Sequence, residues 1–202
     1  MMSETPTLPA QSDPTGNDSD VVLLTRIQRG DRGALRELYV KYHPALLRFI
    51  YRVTGQFELA QEGVNDVMLV VWKKSASFEG RSSVSTWLMG IAYHKALSLS
   101  RDSRRWLDRR APVTDFEDWI ERFGPGEEPS QSVDLRDLLD QALRQLSREQ
   151  RAVVELTYFH GCSYQDIALV MRCPVNTVKT RMFHARAKLR KLVPQLGRDD
   201  LL

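Results

Sequence analysis

SYQDIALVMRCPVNTVKTRMFHARAKLRKLV, residues 163–193, reads as two helices joined by a tight break. Ser163 is suited to an N-cap, with Asp166 three residues on in a capping-box position. Apolar Ile167, Ala168, Val170 and Met171 follow, and Arg172-Cys173-Pro174 ends the helix, because proline disfavours helical geometry in the residue before it. A second helix starts near Val175. Val178, Met182, Ala185, Leu189 and Leu192 fall at spacings of four and three and form its apolar stripe. The opposite side carries Asn176, Thr180, Phe183 and His184, flanked by Lys179, Arg181, Arg186 and Lys188. Residues 172–191 hold seven Arg or Lys and no acid. Such a pair is a helix-turn-helix whose second helix can enter a major groove.

The plainer alternative is a solvated basic helix on a bundle. Three features favour DNA. Asn176, Thr177 and Thr180 are short hydrogen-bonding side chains of the kind that read base edges. The cations come later in the helix, where phosphates would lie. No carboxylate dilutes their field.

A chain of 202 residues allows one or two domains, and its net charge of +3 is segregated rather than uniformly basic. Cys162 and Cys173, with only His160 near them, fall short of a disulfide framework or a four-ligand zinc site, so no metal is expected. The longest apolar run, residues 67–72, is far too short to span a bilayer. No basic segment followed by an apolar core opens the sequence, so no signal peptide is expected. A reducing cytoplasmic setting is the expectation.

Residues 1–20 carry four acids, no base and little apolar surface, and are expected to be a disordered tail. Val22, Leu23 and Ile27, then Ala34, Leu35 and Leu38, show helical spacing around a break at Gly30-Asp31. Pro44 is expected to kink or bound the next stretch, which ends at Thr54-Gly55. Residues 57–74 form an amphipathic helix with Ala60, Val64, Val67, Met68 and Val71 as its stripe; on pattern alone it is an ordinary core helix. Residues 75–83 are a Ser/Gly loop, followed by a long helix to about Arg105 with a basic end. A basic helix, such a loop and an aromatic suit a single-strand binder, although Trp87 alone reads more readily as core, and His94 as readily as a surface histidine. Residues 111–134 hold seven acids and one base among prolines and glycines, an acidic linker. Leu135, Leu138, Leu139, Ala142, Leu143 and Leu146 then form an amphipathic helix, and Ser147 with Gln150 caps the next. The predicted fold is all-α: two small helical domains joined by an acidic flexible linker, the second with the helix-turn-helix.

Residues 21–193 resemble a bacterial RNA polymerase sigma factor of the extracytoplasmic-function class, within the sigma-70 family. LSREQRAVVELTYFHGCSYQDIALVMRCPVNTVKTRMFHARAKLR resembles region four of that class, and FEGRSSVSTWLMGIAYHKAL, with Thr86-Trp87-Leu88 and then Arg104-Arg105, resembles its region two. The resemblance implies a tail at 1–20, region two at 21–110, the linker at 111–134, region four at 135–196 and a tail at 197–202. Region four would read the −35 element through Asn176, Thr177, Lys179, Thr180, Arg181, Phe183, His184, Arg186 and Lys188. Region two would hold the melted −10 strand with Arg81, Ser82, Ser83, Trp87, His94 and Lys95. It would dock on polymerase through Glu62, Asn65, Asp66, Met68, Leu69 and Trp72. Implied partners are core RNA polymerase, promoter DNA and an anti-sigma factor, with no cofactor and no membrane insertion, at a stress- or signal-responsive set of promoters. Many relatives have Asn at His94, so base preference there does not carry over; relatives often have Arg at His184, which removes a fixed charge at the groove. Ser147 stands where Leu-Pro is common, and serine caps equally well.

A helix-turn-helix regulator acting without polymerase explains residues 163–193 but gives the Trp87 segment and the 57–74 helix no purpose. An enzyme lacks support: no phosphate-binding Gly-rich loop, nucleophile–base pair or metal cluster is present.

Overall fold

Short polar side chains and glycines set the helix ends. Asp31 accepts from the Ala34 N–H at 3.1 Å to open one helix, and Gly55, at φ 75°, closes it by donating to the Tyr51 carbonyl at 2.6 Å. Ser147 with Gln150 and Ser163 with Asp166 form complete capping boxes. Arg172 turns the chain with φ 49°, a left-handed position that usually goes to glycine, before Pro174.

A computed structural model describes residues 14–103 and 142–199, with side chains over 17–101 and 142–191. In chain order the helices are α1 (Pro14–Gln28), α2 (Arg32–Thr54), α3 (Phe57–Lys74), a 3-10 turn (Ser75–Ser77), α4 (Val84–Ser103), α5 (Arg148–Tyr158), α6 (Tyr164–Met171) and α7 (Val175–Asp199). The described residues contain no strand. No helix among them is long and apolar enough to cross a membrane. The expected linker at 111–134, the Arg104-Arg105 pair and the start of the 135–146 helix lie outside the described residues.

Three expectations need correction. Order begins within the tail assigned to 1–20: α1 starts at Pro14, the Asn17 side chain accepts from the Val84 N–H at 3.0 Å, and Asp20 is buried. Asp20 is held there by Lys41 at 2.6 Å and the Tyr42 hydroxyl at 2.5 Å, partners that a composition argument does not register. The tail assigned to 197–202 is likewise helical as far as Asp199. Of the kink or boundary expected at Pro44, the boundary does not hold, because Pro44 lies inside α2 without ending it. A mid-helix proline costs ~3 kcal/mol, but Leu46, Leu47, Phe49 and Ile50 beyond it are buried, each worth ~1.5–3 kcal/mol.

α2 packs against both α3 and α4, and Gly63 permits the closest approach: a Cβ there would meet Ile50 at 3.0 Å. α5, α6 and α7 pack on one another through Val153, Leu156, Ile167, Val178 and Met182. The two halves also touch. α6 lies on α4, α5 lies on α2, and the buried residues of both halves form one continuous apolar cluster. Where α5 meets α2, the Arg52 guanidinium grips both carboxylate oxygens of Glu155 at 2.9 and 3.0 Å. Arg52 also stacks on Phe159, 4.3 Å from the ring centre, and its carbonyl accepts from Arg151 at 2.6 Å.

Candidate nucleic-acid and polymerase interfaces

α7 turns Val178, Met182 and Ala185 into the core, so the 3.6-residue repeat leaves Asn176, Lys179, Thr180, Phe183, His184, Arg186 and Lys188 in solvent. Phe183 is 68% exposed, with His184 edge-on at 5.5 Å. A large aromatic left in water on a basic helix is placed to touch a thymine methyl. The cations are not equally free. Arg186 donates to the Tyr158 hydroxyl at 2.7 Å, and Lys188 to the Gln145 carbonyl at 2.8 Å. Arg181 does not share the outward face. It is half-buried and reaches back to Cys173 Sγ at 3.6 Å, bracing the turn before α7. Thr177 is half-buried as well, and its N–H donates to the Pro174 carbonyl within the same turn.

The single-strand candidates divide between loop and helix. Arg81 is exposed and paired with Glu79, and Ser82 is half-buried. Ser83 is occupied in the fold itself, since its Oγ accepts from the Thr86 N–H at 3.1 Å and caps α4. Trp87 is half-buried against Phe78, with ring centres 5.6 Å apart. His94 and Lys95 follow along the same helix. Together they line a cleft of about 680 Å³ whose far wall is Leu169 and Val170 of α6 with Arg172 just after it. Burial and the Arg172 charge hold the His94 imidazole below its usual pKa, against a smaller opposing pull from a hydrogen bond to the Val170 backbone. The ring is therefore neutral near pH ~7 and offers one donor and one acceptor.

On α3, Glu62, Asn65 and Leu69 project outward, Leu69 being 48% exposed. Trp72 is half-buried against the core. Met68, expected on the same surface, is only 7% exposed and belongs to the core stripe with Val64 and Val71. Asp66 is half-covered by its ion pair with Lys95, 2.8 Å away.

No group of three or more metal-ligating side chains occurs among the described residues. Burial pushes the Cys162 thiol up to about 11, a poor nucleophile, and Cys173 is a half-buried free thiol. Arg52, Arg151 and Glu155, the groups joining the halves, escape a reading of the sequence. Arg52 and Glu155 lie 103 positions apart, and no spacing rule links them.

Residues 38–106 match the family described as Sigma-70 region 2, and residues 136–189 match Sigma-70, region 4. The chain is 31% identical over 192 residues to the RNA polymerase sigma-H factor of Pseudomonas aeruginosa, covering 90% of this chain and 97% of that protein. The chain belongs to the sigma-70 family. Within it, the factor falls in the extracytoplasmic-function class: it is 28% identical over 186 residues to the ECF RNA polymerase sigma-E factor of Escherichia coli, covering 89% of this chain and 97% of that one. The sigma factor RpoE of Bartonella quintana, solved with the anti-sigma factor NepR, superposes with a TM-score of 0.62 at 28% identity, over 79% of this chain and 96% of that one. CnrH, solved with the cytosolic domain of CnrY, gives 0.63 at 22% identity over 88% and 99%, a likeness of fold. This sigma factor directs transcription initiation and is not an enzyme; the chemistry belongs to RNA polymerase.

Proposed function

We propose that this sigma factor docks on core RNA polymerase through the outer face of α3, reads duplex −35 DNA with α7, and holds the melted −10 strand between the 81–83 loop and α4. Residues 21–110 and 135–196 would serve as the two working regions, with 111–134 as an acidic strap between them. Its site of action would be the cytoplasm. An anti-sigma protein would restrain it, as the solved complex of the Bartonella quintana relative invites.

Leu69 carries the docking assignment. It is 48% exposed, one turn of helix from exposed Asn65 and two from exposed Glu62. An apolar side chain in water with polar neighbours is how the centre of an interface begins. For the melted strand, support comes from the cleft that joins Trp87 for stacking, His94 for hydrogen bonding and Lys95 for phosphate.

Reconstituted holoenzyme tests both halves of the proposal. Leu69→Ala and Asn65→Ala should weaken binding to core polymerase while circular dichroism stays that of the parent. His94→Asn should change which base is enriched at one −10 position in promoter-library transcription, with core affinity and −35 binding unaltered. Normal core binding by both α3 variants would remove the docking face, and an unchanged −10 profile would return His94 to a plain surface histidine.

A further inference from the structure

We infer that α1 is a splint for base selection: Asn17 and Gln28 hold the two ends of the 75–83 loop and are positioning residues for the −10 base captured there. The inference rests on reading that loop as part of the melted-strand surface.

Asn17, Asp20, Leu24, Ile27 and Gln28 recur at helical spacing, so they share one side of α1. Leu24 and Ile27 are buried in the middle of that side. Polar side chains stand at its two ends, and each reaches the loop. The Gln28 amide donates to the Ser75 carbonyl at 3.1 Å, where the loop leaves α3. That carbonyl also accepts from the Phe78 N–H, and Phe78 lies edge-on to Trp87. At the other end the Asn17 side chain accepts from the Val84 N–H at 3.0 Å, where the loop enters α4. About 16 Å of helix separates the two ties, at ~1.5 Å per residue, and a helix does not stretch.

Asp20 seats the splint. Its side chain is 3% exposed and takes Lys41 at 2.6 Å together with the Tyr42 hydroxyl. A carboxylate so enclosed depends on such partners. Ser85 of α4 hydrogen-bonds to the same hydroxyl, so one buried network ties α1 to α2 and to the first turn of α4. Between its held ends the loop turns at Gly80, with φ 69°, and leaves Arg81 exposed beside Glu79. The entropy of ordering a free loop opposes binding, and fixing both ends beforehand removes part of that cost. Base selection would then depend on α1, although no residue of α1 need touch DNA.

Asn17→Ala and Gln28→Ala each remove one tie in the full chain. Hydrogen exchange over residues 76–86, read by mass spectrometry, should quicken by up to about tenfold in each, the shift that one lost hydrogen bond can supply. Circular dichroism should stay that of the parent. In reconstituted holoenzyme, promoter-library transcription should show the strongest −10 preference weakened by a similar factor, with core affinity and −35 duplex binding unaltered. Asn17→Asp keeps an acceptor for the Val84 N–H and should restore both exchange and preference. Preference is a ratio between bases, so a uniform effect of the added charge cancels. Unchanged exchange in both alanine variants would overturn the splint. Faster exchange with an unchanged −10 profile would overturn the positioning role. Arg81→Ala with Ser82→Ala then separates the two readings: a changed profile keeps the loop on the strand and rejects α1 alone, and an unchanged one rejects the loop as well.

Discussion

Asp66 of α3 and Lys95 of α4 form an ion pair at 2.8 Å, so a residue assigned to polymerase neutralises one assigned to DNA. Both side chains are 34% exposed, and a pair so open to water contributes only ~0.2–1 kcal/mol. Its interest is in placement. The pair holds the ammonium of Lys95 toward α3, and a polymerase group that competes for Asp66 would release that ammonium toward the strand.

A charge swap tests this relationship. Asp66→Lys alone should lower stability by up to about 1 kcal/mol, and Asp66→Lys with Lys95→Asp should recover it. Core-polymerase binding should be lost in both. Recovery of binding along with stability would mean that Asp66 acts only through Lys95; thermal melts and core competition assays read the two quantities.

On α7, Lys179 and Thr180 are adjacent and both exposed, yet they should fail differently. Removing a phosphate contact with Lys179→Ala should reduce the salt slope for −35 duplex binding by about one unit, evenly across sequences. Thr180→Ala should change the preferred sequence and leave the slope alone. Salt titrations on two duplexes distinguish these results, and an unaltered slope for Lys179→Ala would place that residue off the DNA.

His160 should make the closed arrangement sensitive to acid. Its imidazole lies edge-on to Phe49 of α2, with ring centres 5.6 Å apart. Burial, with the charges of Arg48 and Arg52 on α2, pushes its pKa down to about 4; Glu155 of α5 is the carboxylate bound to Arg52 beside it. The unfolded histidine titrates near ~6.5, so the folded form binds fewer protons below that pH. The contribution is complete above about pH 6.5 and is lost as pH falls toward 4, at up to about 1.4 kcal/mol per unit. Melting at descending pH should show a steeper loss for the parent than for His160→Asn. A residual slope of the same sign should persist in the variant, because burial also lowers His43 and His94. Equal slopes would show that His160 is protonated as easily folded as unfolded.

Gly63→Ala probes the junction of α2, α3 and α4. Alanine is the better helix former by about 1 kcal/mol, yet its methyl would sit 3.0 and 3.1 Å from two Ile50 carbons and 3.3 Å from Leu99. Ile50 is fully buried and β-branched, so it has little room to yield. Overpacking of ~1–3 kcal/mol should win, and the variant should melt below the parent. A higher melting temperature would show that Ile50 can move aside.

Much of this protein was legible in its residues because the deciding signals are local. Capping boxes at Ser147 and Ser163, the break at Arg172-Cys173-Pro174 and the apolar stripe of α7 depend on neighbours a few positions away, and the helices begin where those signals place them. Exposure of the outer face of α7 follows from the same periodicity. The 3.6-residue repeat already set Met68 in the apolar stripe of residues 57–74 and Leu69 outside it; only the resemblance put Met68 on the docking surface, and the packed helices keep it in the core. Sequence alone could not foresee that Pro44 would be carried through α2 by burial on both sides of it. The closure of the two halves belongs wholly to tertiary structure. Arg52 meets Glu155, and Gly90 meets Val170, only once helices far apart in the chain are brought together. The free energy of burying a charge or covering a cleft depends on what arrives from elsewhere, and no periodicity records that.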